Sequence, residues 1–196
     1  MEPLAAAGIY IVRTLFGLYT WLVLLRFLLQ LSRADFYNPI SQAIAKITDP
    51  ALAPLRRFIP RVAGVDVCAL VLAVIVQVAA ICLIYLLVGQ PIPGFVIVIG
   101  WSLVALLSMA LNIYFFALLI VIILSWIAPQ SSHPGALLVY QITEPVMRPV
   151  RNLIPAIGGL DLSPIVIFIA INLFEKLVVI QLAAALNMPR QLVLGL

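Results

Sequence analysis

The run Thr48-Asp49-Pro50-Ala51-Leu52-Ala53-Pro54-Leu55-Arg56-Arg57-Phe58-Ile59-Pro60 returns without a gap, 95 residues later, as Thr143-Glu144-Pro145-Val146-Met147-Arg148-Pro149-Val150-Arg151-Asn152-Leu153-Ile154-Pro155. The register continues through Gly64 with Gly159 and Asp66 with Asp161, so that eight of the twenty positions from Thr48 to Val67 are identical. Composition alone would give on the order of one or two. Pro39 falls on Pro134 upstream. Self-similarity at a fixed offset marks an internal repeat, here with halves 1–94 and 95–196.

What flanks each copy decides the class of protein. Of 196 residues, 65% are hydrophobic and 9% charged, and mean hydropathy is +1.25. That leaves too little polar surface to coat a water-soluble globule. Four apolar stretches, Leu4 to Leu31, Val67 to Val88, Phe95 to Ile127 and Ile165 to Leu186, are each long enough to cross a hydrocarbon core as a helix. The first opens Met1-Glu2-Pro3, lacks a basic leader and exceeds a signal-peptide core in length, so it is expected to persist as a helix. The third has 33 residues, about 50 Å if unbroken. It must tilt, protrude, or break near Gly100 or Ser108 to Asn112. The expected fold is all-α and transmembrane: four spans in two tandem parallel repeats, each a helix, a proline-rich amphipathic loop and a helix.

Orientation follows from the basic residues. Arg33, Lys46, Arg56, Arg57 and Arg61 lie between spans one and two, and Arg148 and Arg151 between three and four. The other side carries a neutral turn, Gln90 to Gly94, with Glu2 and Arg190 near the ends. Both long loops are therefore expected in the cytoplasm, with both termini outside. The pI near 9.4 reads as topology and as attraction to anionic phospholipid, not as a nucleic-acid signal.

Each loop has a helical reading. Asn38 suits an N-cap with Pro39 at the first helical position, and Ile40, Ala43, Ile44 and Ile47 share one face. Asp49 is placed to cap a second short helix, with Pro50 in its first turn and a kink at Pro54. Glu144, Pro145 and Pro149 repeat the pattern. Such a segment rests in the interface or dips into the membrane and returns.

The run Asp35-Phe36-Tyr37-Asn38-Pro39-Ile40-Ser41-Gln42, followed by the paired Pro-x-x-x-Pro-x-Arg-x-x-Ile-Pro segments, resembles the YggT family of bacterial inner-membrane proteins, also called YlmG-like, over nearly the whole chain. The resemblance implies a four-helix integral membrane protein of the inner (plasma) membrane without an established enzymatic activity. It also implies links to osmotic-stress tolerance and potassium handling, to division or nucleoid organisation, and to haem attachment in a plastid cytochrome complex. The family motif maps onto Pro50, Pro54, Arg56, Pro60, Gly64 and Asp66, then Pro145, Pro149, Arg151, Pro155, Gly159 and Asp161.

Arg56, Arg57, Arg61, Arg148 and Arg151 are candidates for contact with lipid or a partner. Arg56 and Arg151 sit at equivalent places, where their guanidinium groups can grip lipid phosphate or pair with Asp66 and Asp161. The plainer alternative is topology control with snorkelling. Arg13, Arg26, Gln77, Asn112, Asn172, Glu175, Lys176 and Gln181 are polar at membrane depth. Arg26 is near enough to a span end to snorkel, and Gln77 and Asn172, repeat mates, are placed to hydrogen-bond helix to helix. Glu175, near the middle of span four, is expected to pair with Arg13 or Arg26 or to face a small polar cavity.

Cys68 and Cys82, fourteen residues apart on one helix, lie roughly 20 Å apart, too far for a disulfide. His133 is the single histidine, so no Cys/His metal cluster forms, and Ser131, Ser132 and Glu144 near it make no triad signature. No cofactor is expected. The favoured function is a non-catalytic organiser of membrane-protein assembly or the envelope, whose partners are the bilayer, anionic phospholipid above all, and another membrane protein or a second copy. A small ion transporter or channel is the alternative, motivated by the duplication and Glu175. A membrane enzyme ranks third, because no nucleophile, base and metal set converges.

Overall fold

The computed structural model describes residues 3–59, 66–128, 131–154 and 161–189, and among them every regular element is helical. In chain order these are α1 (Pro3–Leu31), α2 (Pro39–Leu55), α3 (Val67–Val88), α4 (Phe95–Ile127), α5 (Pro134–Leu153), α6 (Ser163–Phe174), a π-helical turn (Glu175–Val179) and α7 (Ile180–Ala185). Four helices are long and apolar enough to cross a membrane: Leu4–Leu31, Val67–Val88, Phe95–Ile127 and Ser163–Ala185. Their outward faces carry exposed Leu4, Tyr10, Leu15, Val96 and Leu177, an apolar surface that lipid accepts and water does not.

The third span does not break. α4 runs its full 33 residues, and the irregularity falls instead in the fourth span, where the amide of Ile180 bonds the carbonyl of Glu175, five residues back. The loops also differ from two short capped helices. α2 and α5 are each one helix that runs through both of its prolines, Pro50 and Pro54 or Pro145 and Pro149. All four prolines are on exposed positions. The carbonyls that lose a donor four residues back therefore lie on the open side, where water or headgroups satisfy them and the helix need not stop. Asp49 consequently caps nothing. Asn38 does cap α2, accepting from the amide of Ile40 at 2.9 Å, and its counterpart His133 caps α5, Nδ1 accepting from Gly135 at 3.1 Å.

Small residues decide the closest helix pair. Ala69, Ala73 and Ala80 of α3 are fully buried in the cluster they form with Val23, Leu24 and Leu28 of α1, and a short side chain lets two backbones approach. α1 ends in a 6→1 closure, the Ala34 amide donating to the Leu29 carbonyl at 2.8 Å. The turn puts Arg33 in the left-handed region at φ 52°, where glycine is usual. α3 closes the same way through Gly89 at φ 71°. Between the halves, Tyr85 stacks on Trp101 with centroids 6.2 Å apart; within the second half, Trp101 donates to the Leu186 carbonyl at 3.0 Å. At the opposite end α2 and α5 meet: the Asn38 amide donates to the Pro134 carbonyl at 2.8 Å, and Gln141 accepts from the Asp35 amide at 3.0 Å.

Candidate functional site

The charged side chains outside the spans gather around α2 and α5. In the first half Thr48 spends its hydroxyl proton on the Ile44 carbonyl of its own helix at 2.7 Å. That turns an oxygen lone pair toward α1, where Arg26 Nη1 donates to it at 2.6 Å and to the Ala45 carbonyl at 3.1 Å. Arg26 Nη2 meets Asp49 Oδ1 at 2.8 Å. The same oxygen accepts from Arg56 Nη1 at 3.1 Å, and Arg56 Nη2 reaches Asp66 Oδ2 at 2.7 Å. Charges thus alternate along Arg26, Asp49, Arg56 and Asp66, tying α1, α2 and α3 together. Arg26 is only 4% exposed, so it is a lock and not a snorkelling cation. Burial pushes the Asp66 carboxyl up, but the hydrogen bond and charge of Arg56, with Arg26 and Gln30 behind it, outweigh burial and hold it below its ordinary value. Arg56 is raised in turn, chiefly by its bond to Asp66.

The second half repeats three of these four positions. Arg151 Nη1 pairs with Glu144 at 3.0 Å and its Nε with Asp161 at 2.8 Å. Asp161 Oδ1 also accepts from the Ser163 amide at 2.9 Å, at the start of α6. Burial raises Asp161, yet hydrogen bonding from Ser163 and then Arg151 wins, and its carboxyl sits below the ordinary value. This hinge is more open: side-chain exposure is 38% at Asp161 and 2% at Asp66. Each hinge borders a cavity, of about 540 Å³ beside Arg26, Gln30, Arg33 and Asp66, and about 490 Å³ beside Val121, Trp126, Tyr140 and Arg151.

Arg57 and Arg148 are exposed and form no ion pair among the described residues. Pro60, Arg61, Gly64, Pro155 and Gly159 lie outside the described residues. Glu175 is half-buried and accepts from Ser108 of α4 at 3.5 Å. It pairs with neither arginine offered to it by depth: Arg26 is turned to Asp49, and Arg13 forms no ion pair among the described residues. Gln77 and Asn172 do not meet either. Asn172 Nδ2 bonds the Phe168 carbonyl of its own helix at 2.9 Å, and Gln77 is fully buried with both amide atoms unpartnered among the described residues. Gln77→Leu is therefore expected to raise stability by about 1–2 kcal/mol, because an apolar side chain of similar size has no desolvation to recover. A melting temperature in detergent at or below wild type would contradict this.

Cys68 and Cys82 form no disulfide, the Cys68 thiol donating instead to the Ile59 carbonyl at 3.2 Å, and the described residues hold no group of three His, Cys, Asp or Glu side chains fit for a metal. What this geometry does is hold α1, α2 and α3 in fixed relation at one end of the first half, and α5 against the start of α6 in the second.

The profile of the CCB3/YggT family matches the chain twice, over residues 5–87 and again over 100–182. The chain belongs to the CCB3/YggT family. Both boundaries of the two matches are 95 apart, the offset that also relates the two ion-pair hinges. Among relatives, PA0392 of Pseudomonas aeruginosa is 52% identical over 193 residues, covering 98% of each chain. A protein encoded in the proC 3′ region of Vibrio alginolyticus is 41% identical over 164 residues, 83% of this chain and 88% of that one. YggT of Escherichia coli K12 is 36% identical over 180 residues, 91% and 93% respectively. All three carry the description uncharacterized. No solved structure gives a significant match.

Within this family member the sequence alone had missed Arg26 as part of the hinge. Its partners are 19 to 23 residues away, and nothing local distinguishes an arginine near a span end that snorkels from one that folds back onto the next helix.

Proposed function

We propose that this YggT-family protein is a non-catalytic scaffold of the bacterial inner membrane that supports membrane-protein assembly or envelope organisation. In this reading the two halves are tandem parallel repeats, the hinge helices lie amphipathically on the cytoplasmic leaflet, and both termini are outside. One observation carries it: in each half an arginine pinned between carboxylates fixes the hinge, while Arg57 and Arg148 stay exposed and free of ion pairs among the described residues. Fixed arginines hold shape, and exposed ones meet anionic phospholipid or an acidic partner surface at about 1 kcal/mol each near a charged leaflet. The test is crosslinking in cells followed by purification of wild type and the Arg57→Gln, Arg148→Gln double variant. A membrane partner recovered with wild type and lost from the variant is the expected result, and identical recoveries would end the proposal.

A second reading, a small cation transporter or channel in potassium or osmotic homeostasis, draws on the π-helical turn that begins at Glu175, since such turns within membrane helices often serve function. Ion flux into proteoliposomes separates the two. The scaffold reading expects Glu175→Gln to leave partner recovery unchanged and flux at the level of empty vesicles in both proteins. Flux by wild type that the variant loses would favour transport.

A further inference from the structure

Position 26 is arginine in the first half, and its counterpart, position 121, is valine. The acceptors around that position are nevertheless kept. Arg26 is held by the Ala45 carbonyl, the Thr48 hydroxyl and the Asp49 carboxylate, and their counterparts are the Tyr140 carbonyl, the Thr143 hydroxyl and the Glu144 carboxylate. Thr143 even repeats the back-bonding of Thr48, its hydroxyl lying 2.9 and 3.2 Å from the Val139 and Tyr140 carbonyls, against 2.7 and 3.3 Å in the first half. Thr48 thereby offers a lone pair that Arg26 fills. Thr143, 1% exposed, offers one that no donor among the described residues takes. Asp49 answers two arginines, Glu144 one. The second hinge has two carboxylates around a single arginine, one cation fewer than the first, and beside Val121 lies the cavity of about 490 Å³.

We infer that this cavity binds the headgroup of a phospholipid carrying a primary ammonium, drawn from the leaflet at the hinge end of the bundle. The inference takes from the scaffold reading only that this end lies at a membrane surface. The occupant must bring a positive charge with N–H donors, because Tyr140, Arg151 and Asp161 wall the cavity and Glu144, paired to the same Arg151, leaves this hinge one cation short. It also meets a neighbouring cation. Arg151 Nη2 has as partner the thioether of Met147 at 3.7 Å, a weak acceptor that a phosphate oxygen displaces. An ammonium and a phosphate two carbons apart satisfy both demands at once. Val121, Ile122, Leu162 and Ile165 supply an apolar wall for the acyl chains, and Trp126, 78% exposed near the end of α4, is the side chain favoured at a headgroup boundary. A choline headgroup has the charge but no N–H, and a glycerol headgroup has no cation.

Native mass spectrometry of the purified full chain tests this with ethanolamine, choline and glycerol phospholipids of identical acyl chains and with soluble phosphoethanolamine. Wild type is expected to bind the ethanolamine lipid about tenfold more tightly than the choline lipid, a difference of about 1.4 kcal/mol. Val121→Arg, which supplies the missing guanidinium, should abolish that preference. Glu144→Gln should abolish it without a change in the buried core. Equal binding of ethanolamine and choline lipids by wild type would overturn the inference, as would a preference that survives Glu144→Gln. Soluble phosphoethanolamine binding as tightly as the lipid would overturn the lipid as its source. Identical partner recoveries from wild type and the Arg57→Gln, Arg148→Gln variant, with the ethanolamine preference intact, would count against the scaffold reading alone.

Discussion

Asp49→Ala is expected to destabilise the protein by on the order of 3 kcal/mol, whereas Arg26→Met, which removes the other half of the same ion pair, is expected to cost about 1 kcal/mol or less. The inequality follows from burial. The Arg26 side chain is 5% exposed and that of Asp49 47%. Removing the carboxylate leaves a nearly buried cation with only a hydroxyl and a carbonyl to hold it. Removing the cation leaves a half-exposed carboxylate still paired with Arg56, and methionine fills the apolar part of the site. Thermal unfolding of both variants in the same detergent measures the difference. Equal losses, or a larger loss for Arg26→Met, would show that Arg26 is not held as described.

Arg56→Gln carries the second large effect, and its mirror in the other half gives the control. Asp66 is 2% exposed, so loss of Arg56 leaves a buried carboxylate short of its main counter-charge, at a cost on the order of 3 kcal/mol. Asp161 is 38% exposed and already serves the Ser163 amide, so Arg151→Gln is expected to cost about 1 kcal/mol. Acid should sharpen the contrast. Asp66 is held below its ordinary value of 3.8 in the folded protein, so its contribution is complete above that value and is lost as pH falls through the lower folded one. Wild type should therefore lose stability below about pH 4. In Arg56→Gln the burial that raises Asp66 loses its main opponent, protonation becomes the easier state, and the gap to wild type should narrow toward pH 4. A gap that is constant from pH 7 to pH 4 would exclude Asp66 as its origin.

Much of this was legible in order along the chain. The ends of all four spans fall within two residues of those read from hydropathy, because a helix in lipid must satisfy its own backbone and so needs a continuous apolar run. Asn38 and Pro39 start α2 for a reason confined to three residues. The failures have a common cause. Pro50 and Pro54 read as a break because proline removes a donor, but whether the orphaned carbonyl faces the open side is not a local property. Of the two places Glu175 offers itself by depth, the arginines are excluded, because the structure turns Arg26 to Asp49 and leaves Arg13 without an ion pair among the described residues; of the three ways to fit the long third span, a break near Gly100 or Ser108 to Asn112 is excluded, and the irregularity lies in the fourth span.

By itself the amino-acid order determined that this is a helical membrane protein carrying one motif twice, with positive charge gathered in two loops, since hydropathy, self-similarity and charge placement are all properties of a line. Only the tertiary structure decided that Arg26 closes one hinge while Val121 leaves its counterpart open. Which cation answers which carboxylate depends on distances of about 3 Å between one helix and the next, and on how much water each is denied. Those are facts of packing, fixed when the helices meet.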